Sequence, residues 1–271
     1  MLGLGAKAAS SHPDECIALA MSGGGTFGAF EAGALWGLYH SDTDKSKYEY
    51  DVVTGVSAGA INTGAVSVYE IGDEENMVND LSMKWQQLTE DQLLTRWKPA
   101  GMITGVLKES GVFDTSPLHK FLDEFFAEHN NTIHRKFVVS SVDANTGSYH
   151  LFNETTEDPM KAILSSASIP FVFPDQDWSQ FGMVGIDGGT VWNTNLVSAV
   201  QRCREKVDDD SKITVDILVC FGYDIDKDFK TSGNTIDNYM RFIQIRDYYN
   251  GMDDVLNFMR AYPEVNFRYY V

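Results

Sequence analysis

Twice within the first seventy residues a short apolar run ends in small residues and continues into a helical segment. No other feature constrains the fold of this chain as much. Ile17–Met21 (IALAM) leads into Ser22-Gly23-Gly24-Gly25-Thr26-Phe27-Gly28, and Phe27–His40 then reads as a helix with Phe30, Ala34 and Leu38 at spacing four. Asp51–Val56 (DVVTGV) leads into Ser57 and the small-residue stretch AGAINTGAVSVYE, again of helical length. Short β-branched strands that alternate with helices bury both faces in a parallel sheet flanked by helices, an α/β architecture.

The rest of the chain extends this pattern. Residues 72–128 read as mostly helical, with stripes at Met77, Leu81, Trp85 and Leu88 and at Leu118, Leu122 and Phe125. Phe137–Asp143 and Tyr149–Phe152 flank Asn-Thr-Gly as a hairpin. Residues 158–167 form a short helix before Pro170, Met183–Ile186 leads into Asp187-Gly188-Gly189, and Ile213–Phe221 is another buried strand. Helices follow in 235–261, and Val265, Phe267, Tyr269 and Val271 alternate as a last strand; its end in mid-strand is expected of a chain that continues or of one whose tail was removed. The expected organisation is a loosely held lead-in over 1–15 and a single domain over 16–271.

Charge narrows the partners. With 39 Asp+Glu against 21 Lys+Arg the net charge is −18, which argues against nucleic acid and against electrostatic docking on anionic lipid. Any membrane contact would be apolar or local. Cys16, Cys203 and Cys220 form no CxxC pattern, so neither a zinc framework nor a closed set of disulfides is expected, and a reducing, intracellular compartment follows. The first twenty residues lack the apolar run of a signal peptide, and Leu2 stands where N-myristoylation needs glycine. No cofactor and no metal is expected.

The chemistry concentrates at two turns and one acid. Gly55-Val56-Ser57-Ala58-Gly59 is a G-x-S-x-G sequence set between a strand and a helix, the context that lifts a serine Oγ above a sheet. The glycine triplet Gly23, Gly24 and Gly25 exposes backbone N–H groups able to converge on an oxyanion or a phosphate. The string Gly23-x-Gly25-x-x-Gly28 also fits a dinucleotide fingerprint. The acid that fingerprint needs at the end of the second strand is missing, however, because Gly55-Val56-Ser57 stand there and Asp51 lies at the opposite end. Nucleotide binding is therefore rejected. All six histidines (His12, His40, His119, His129, His134, His150) precede Asp187, which departs from the Ser–acid–His order of α/β-hydrolases. Asp187, at a strand end before two glycines, is the leading candidate for the base.

This ordered set resembles the patatin-like lipid acyl hydrolases. The resemblance rests on Ser22-Gly-Gly-Gly-Thr-Phe-Gly28, Gly55-x-Ser57-x-Gly59, Ser165-Ser-Ala-Ser-Ile-Pro-Phe-Val-Phe-Pro174, and Asp187-Gly-Gly with Asn193. It spans residues 17 to about 222. It implies a three-layer α/β/α patatin-like fold with a mostly parallel central sheet and a Ser–Asp dyad without histidine. Ser57 is then the nucleophile, Asp187 the base, and Gly23, Gly24 and Gly25 the oxyanion hole. The implied substrate is a lipid ester, with peripheral contact to a lipid interface. A carboxylate of ordinary pKa, roughly 4, is a weak base for a hydroxyl, so partial burial has to assist it.

Two positions depart from the family pattern: Phe27 stands where a basic residue is usual, and Asn195 where proline is usual. They motivate an alternative reading, a weak or silent scaffold subunit that keeps the fold. Asp224-x-Asp226-x-Asp228 mimics a calcium loop but carries Phe229 and Thr235 where Gly and Glu are required, so it reads as a solvated loop. Residues 96–108 set Trp97, Met102, Ile103, Val106 and Leu107 between cations, as a core stripe in preference to a lid over a lipid groove.

Overall fold

The computed structural model describes residues 3–4, 10–98, 101, 104, 108–220 and 235–271. Its main sheet contains β1 (Cys16–Met21), β2 (Val52–Gly55), β3 (Lys136–Asp143), β4 (Tyr149–Asn153), β5 (Gln176–Trp178), β6 (Met183–Asp187), β7 (Ile213–Leu218) and β8 (Asn266–Tyr270). The order β8-β7-β1-β2-β3 is parallel throughout. The β3–β4 hairpin and the β5–β6 pair attach in antiparallel fashion. Helices are α1 (Gly28–Ser41), α2 (Ala58–Ser67), α3 (Glu74–Gln87), α4 (Glu90–Leu93), α5 (Ser116–Glu128), α6 (Pro159–Ser166), α7 (Leu196–Cys203) and α8 (Thr235–Ala261).

The two-residue period of β1 sorts the layers. Ile17, Leu19 and Met21 enter one apolar cluster with side chains of α1, α2, α3, α5 and α6. Cys16, Ala18 and Ala20 enter the other, with Leu196, Ala199 and Val200 of α7 and Val255 and Phe258 of α8. Each fully buried Leu, Ile or Met contributes about 1.5–3 kcal/mol by leaving water, so the sheet is held from both faces. The three-layer, mostly parallel α/β/α expectation matches.

Three expectations need correction. Helix α1 buries Glu31, Ala32, Leu35 and Tyr39, whereas Phe30 of the anticipated stripe is exposed. Helix α1 packs chiefly on α3, and this partner, invisible in local spacing, turns Leu35 and Tyr39 inward. Second, Cys16 of β1 and Cys203 of α7 form a disulfide across 187 positions of sequence, leaving Cys220 as a buried free thiol among the described residues. The pairing is non-local, which is why spacing did not reveal it, and the argument for a reducing compartment falls with it. Third, Gly3–Leu4 of the lead-in pairs with Thr132–Ile133; residues 5–9 lie outside the described residues. So do Met102, Ile103, Val106 and Leu107 of the core-or-lid stripe and the Asp224–Asp228 loop. Among the described residues, no helix is long and apolar enough to cross a membrane.

One feature of the sheet positions the site. Along a single edge β3 holds two strands end to end, β2 against Lys136–Val139 and β6 against Ser141–Asp143. Because β2 runs parallel to β3 and β6 antiparallel, their C-terminal ends point toward each other. Gly55 pairs with Val139 and Asp187 with Ser141, so only Ser140 separates the two paired positions.

Candidate active site

Ser57 occupies the turn between β2 and α2 with φ 54 and ψ −120. This left-handed backbone is strained for a residue with a Cβ, and such strain concentrates at functional sites. The flanking glycines are required by close approach. A Cβ on Gly55 would lie 2.1 Å from the Gly59 carbonyl oxygen, and one on Gly59 would lie 2.4 Å from that of Met21. The turn is tied to the glycine loop: the Gly59 N–H donates to Ser22 O at 3.1 Å and the Val56 N–H to Met21 O at 3.2 Å. Ser57 is almost entirely buried.

Asp187, also buried, ends β6 and caps the glycine turn behind it, accepting the Gly189 N–H on Oδ1 at 2.7 Å. The segment Ser165–Pro174 touches both candidates. Ser166 Oγ accepts the Ser57 N–H at 2.9 Å, and the Ser168 carbonyl accepts the Asp187 N–H at 2.9 Å. Nothing in the local spacing of these serines assigns them a task; in the structure they hold the backbone N–H groups of Ser57 and Asp187.

Asn193 is the second brace. Its Nδ2 donates to Gly23 O at 2.9 Å while its own carbonyl accepts the Gly23 N–H at 3.0 Å. Its Oδ1 lies where Cβ atoms on Gly23 and Gly189 would stand, 2.3 and 2.5 Å away. A Cβ on Gly23 would also lie 3.0 Å from Ser57 Cβ, and one on Gly189 3.1 Å from Asp187 Oδ1. Asn193 thus sits between the glycine loop beside Ser57 and the turn beside Asp187. The Gly23 N–H is thus engaged within the fold by Asn193. The Gly24 and Gly25 N–H groups have no acceptor among the described residues.

The two family departures acquire physical settings. Asn195 caps α7, its side chain accepting the Ser198 N–H at 3.2 Å, and its carbonyl accepts the Thr54 hydroxyl at 3.0 Å. Phe27 ends the glycine loop with its ring exposed. Three of the six histidines are engaged elsewhere: His40 stacks on Trp36, His119 faces Asp123, and His129 packs on Phe125 and Tyr69.

Behind the glycine loop lies a buried acid that the sequence reading passed over. Glu31 on α1 accepts from Asn62 Nδ2 on α2 at 2.9 Å, and Asn62 also donates to Gly28 O and accepts the Trp85 indole N–H. Burial, partly opposed by the Asn62 bond, pushes the Glu31 carboxyl up from 4.5 to about 8. The neighbouring Cys220 thiol, whose Cβ bounds Gly24, is pushed up by burial and by Glu31. The folded state therefore holds a proton on Glu31 that the unfolded chain has released above pH 4.5. Its stabilising contribution is complete below pH 4.5 and is lost as pH rises through about 8. Glu31→Gln, neutral at every pH, is expected to be more stable than the parent by about 3 kcal/mol at pH 7 and equal to it near pH 4. Urea unfolding across pH 4–8.5 checks this; parallel pH profiles for the two proteins would refute it.

The family model described as patatin-like phospholipase matches residues 19–200, more than half of the chain. No curated protein matches. Among solved structures, VipD from Legionella pneumophila is similar at 12% identity with a TM-score of 0.43, over 89% of this chain and 55% of that one. The heterodimeric ExoU–SpcU complex from the type III secretion system of Pseudomonas aeruginosa is similar at 16% identity with a TM-score of 0.37, over 88% of this chain and 51% of that one. The chain spans about half the length of the solved chains it matches.

Proposed function

The chain belongs to the patatin-like phospholipase family, and from that premise we propose that it is a serine lipid acyl hydrolase acting through a Ser57–Asp187 dyad. The observation that carries the reading is the meeting of two strand ends on one edge of β3. The reading is supported by the nearness it gives the strained Ser57 turn and the buried Asp187 turn, between which Asn193 stands.

In this reading Asp187 takes the Ser57 hydroxyl proton while Oγ bonds to the ester carbonyl carbon. The carbonyl electron pair moves to oxygen, where the Gly24 and Gly25 N–H groups receive it. Collapse breaks the ester C–O bond, and the departing alcohol takes the proton from Asp187. Water, deprotonated by the same carboxylate, then attacks the acyl carbon; the bond from that carbon to Ser57 Oγ breaks, Oγ takes the proton back from Asp187, and the fatty acid leaves. Asn193, Ser166 and Ser168 act as positioning residues. Backbone donors held by the Asn193 and Ser22 bonds need no reorganisation as charge develops, which is the condition for large electrostatic stabilisation.

The test is fatty-acid release from phospholipid, lysophospholipid and acylglycerol micelles, run beside labelling of the protein by a fluorophosphonate probe. Release from one of these classes together with stoichiometric labelling is expected. A folded protein that neither labels nor releases acid points to the silent scaffold, which the Phe27 and Asn195 departures favour.

A further inference from the structure

We infer that the loops carrying the candidate site also form an uncharged aromatic rim that docks on electrically neutral lipid surfaces. The choice of a lipid over another apolar partner rests on the catalytic reading above.

Three segments converge at the site, and each exposes large apolar side chains. Phe27, two residues past Gly25, is 63% exposed, and Phe30 one turn later is also exposed. Phe171, three residues past the Ser168 carbonyl that holds Asp187, is 74% exposed. Val191 and Trp192 precede Asn193, and Trp192 is 48% exposed with its ring edge-on to Tyr149. Such residues scattered singly need no explanation; carried on three loops that hydrogen-bond to one another or to Ser57 and Asp187, they mark an interaction surface.

Two observations decide what the surface meets. The first is charge. Residues 23–30, 167–174 and 188–197 contain no Asp, Glu, Lys, Arg or His, in a chain of net charge −18. An anionic bilayer attracts juxtaposed cations, and these loops offer none, while the rest of the chain repels it. A zwitterionic or uncharged lipid surface imposes neither condition, and aromatic rings settle at its headgroup level. The second is strain. Phe171 is held at φ +73, a left-handed conformation costly for a bulky side chain. The neighbouring backbone fixes it there: the Phe171 carbonyl accepts the Val112 N–H at 3.0 Å, and Gly111 bridges to Phe171. The ring is thus directed outward by a backbone that glycine would occupy more easily, and folding alone gives no reason for a phenylalanine there.

Trp97 donates its indole N–H to O of Gly111, the residue bridged to Phe171, at 3.0 Å.

The experiment is vesicle flotation with phosphatidylcholine vesicles and with vesicles containing a third phosphatidylserine. It uses the parent chain, Ser57→Ala, and the triple variant Phe30→Ser/Phe171→Gly/Trp192→Ser. Each protein is also assayed on a monomeric short-chain p-nitrophenyl ester. Parent and Ser57→Ala are expected to float with phosphatidylcholine and less with the anionic vesicles. The triple variant should lose at least tenfold of the floated fraction while hydrolysing the monomeric ester within about twofold of the parent. Phe171→Gly alone, which removes the strained φ, should keep or raise Tm, so lost flotation cannot be assigned to unfolding. Undiminished flotation of the triple variant, no flotation of the parent, or preference for the anionic vesicles overturns the rim. A parent dimer that the triple variant dissolves also overturns it, in favour of a second copy of this chain as the occupant. If the parent floats through these residues but hydrolyses no ester, the rim stands and the catalytic reading falls.

Discussion

Ser57→Ala is expected to lower ester hydrolysis by about 10⁴–10⁶-fold and to abolish fluorophosphonate labelling, with the fold unchanged. The magnitude follows from covalent catalysis: without Oγ no acyl-enzyme forms, and what remains is water attacking an ester held near the oxyanion donors. Stability should not suffer, because Ala adopts φ 54 at much the same cost as Ser and the Ser57 N–H still donates to Ser166 Oγ. Ser57→Gly supplies a sharper control. It should be equally inactive yet about 1 kcal/mol more stable, since glycine occupies that backbone without strain. Activity and labelling are read on all three proteins beside thermal unfolding. Retained labelling in Ser57→Ala would move the reactive hydroxyl elsewhere and sink the dyad. A more stable and inactive Ser57→Gly would show that the strain at the turn serves chemistry alone.

The parts of this molecule that could be read from its sequence are those encoded over short distances. The alternation of Ile17, Leu19 and Met21 with Cys16, Ala18 and Ala20 follows from the pleat. The glycines flanking Ser57 follow from the tight crossing of α2 over β1 and β2. What escaped depends on distant partners. Local spacing says that Met183–Ile186 is a strand; it does not say that the strand abuts β2 end to end, with only Ser140 between the positions of β3 that Gly55 and Asp187 pair with. The covalent pairing of Cys16 with Cys203 joins two elements that become neighbours only after the sheet has formed. Glu31, a carboxyl on a helix otherwise rich in small and apolar residues, was a legible anomaly, but its burial needed α2 and α3 in place. Asn193 was quoted for its position in a motif. Its task, holding Gly23 on one side while standing over Gly189 on the other, appears only when residues 170 positions apart share a loop.

Asp187→Asn is expected to reduce ester hydrolysis by about 10³–10⁴-fold, nearly as much as loss of the nucleophile and by a different route. The amide keeps an Oδ1 able to accept the Gly189 N–H, and the Asp187 N–H still reaches Ser168 O. The glycine turn and the strand end therefore stay in position. What disappears is the proton acceptor. An amide cannot take the Ser57 proton, and its NH₂ presents a donor where the hydroxyl needs an acceptor. The fall should lie in kcat with KM nearly unchanged, because the carboxylate acts on the transition state and leaves substrate binding alone. Labelling by the fluorophosphonate should persist at a much lower rate, since the Ser57 hydroxyl is retained. Full activity in Asp187→Asn would remove the acid from the mechanism and reopen the search for a base. Because Asp187 is buried and carries Gly189 on one oxygen, a loss confined to KM, or one matched by a fall in Tm, would instead assign it a structural task. An isolated fall in kcat has no such explanation and identifies the carboxylate as the group that moves the proton.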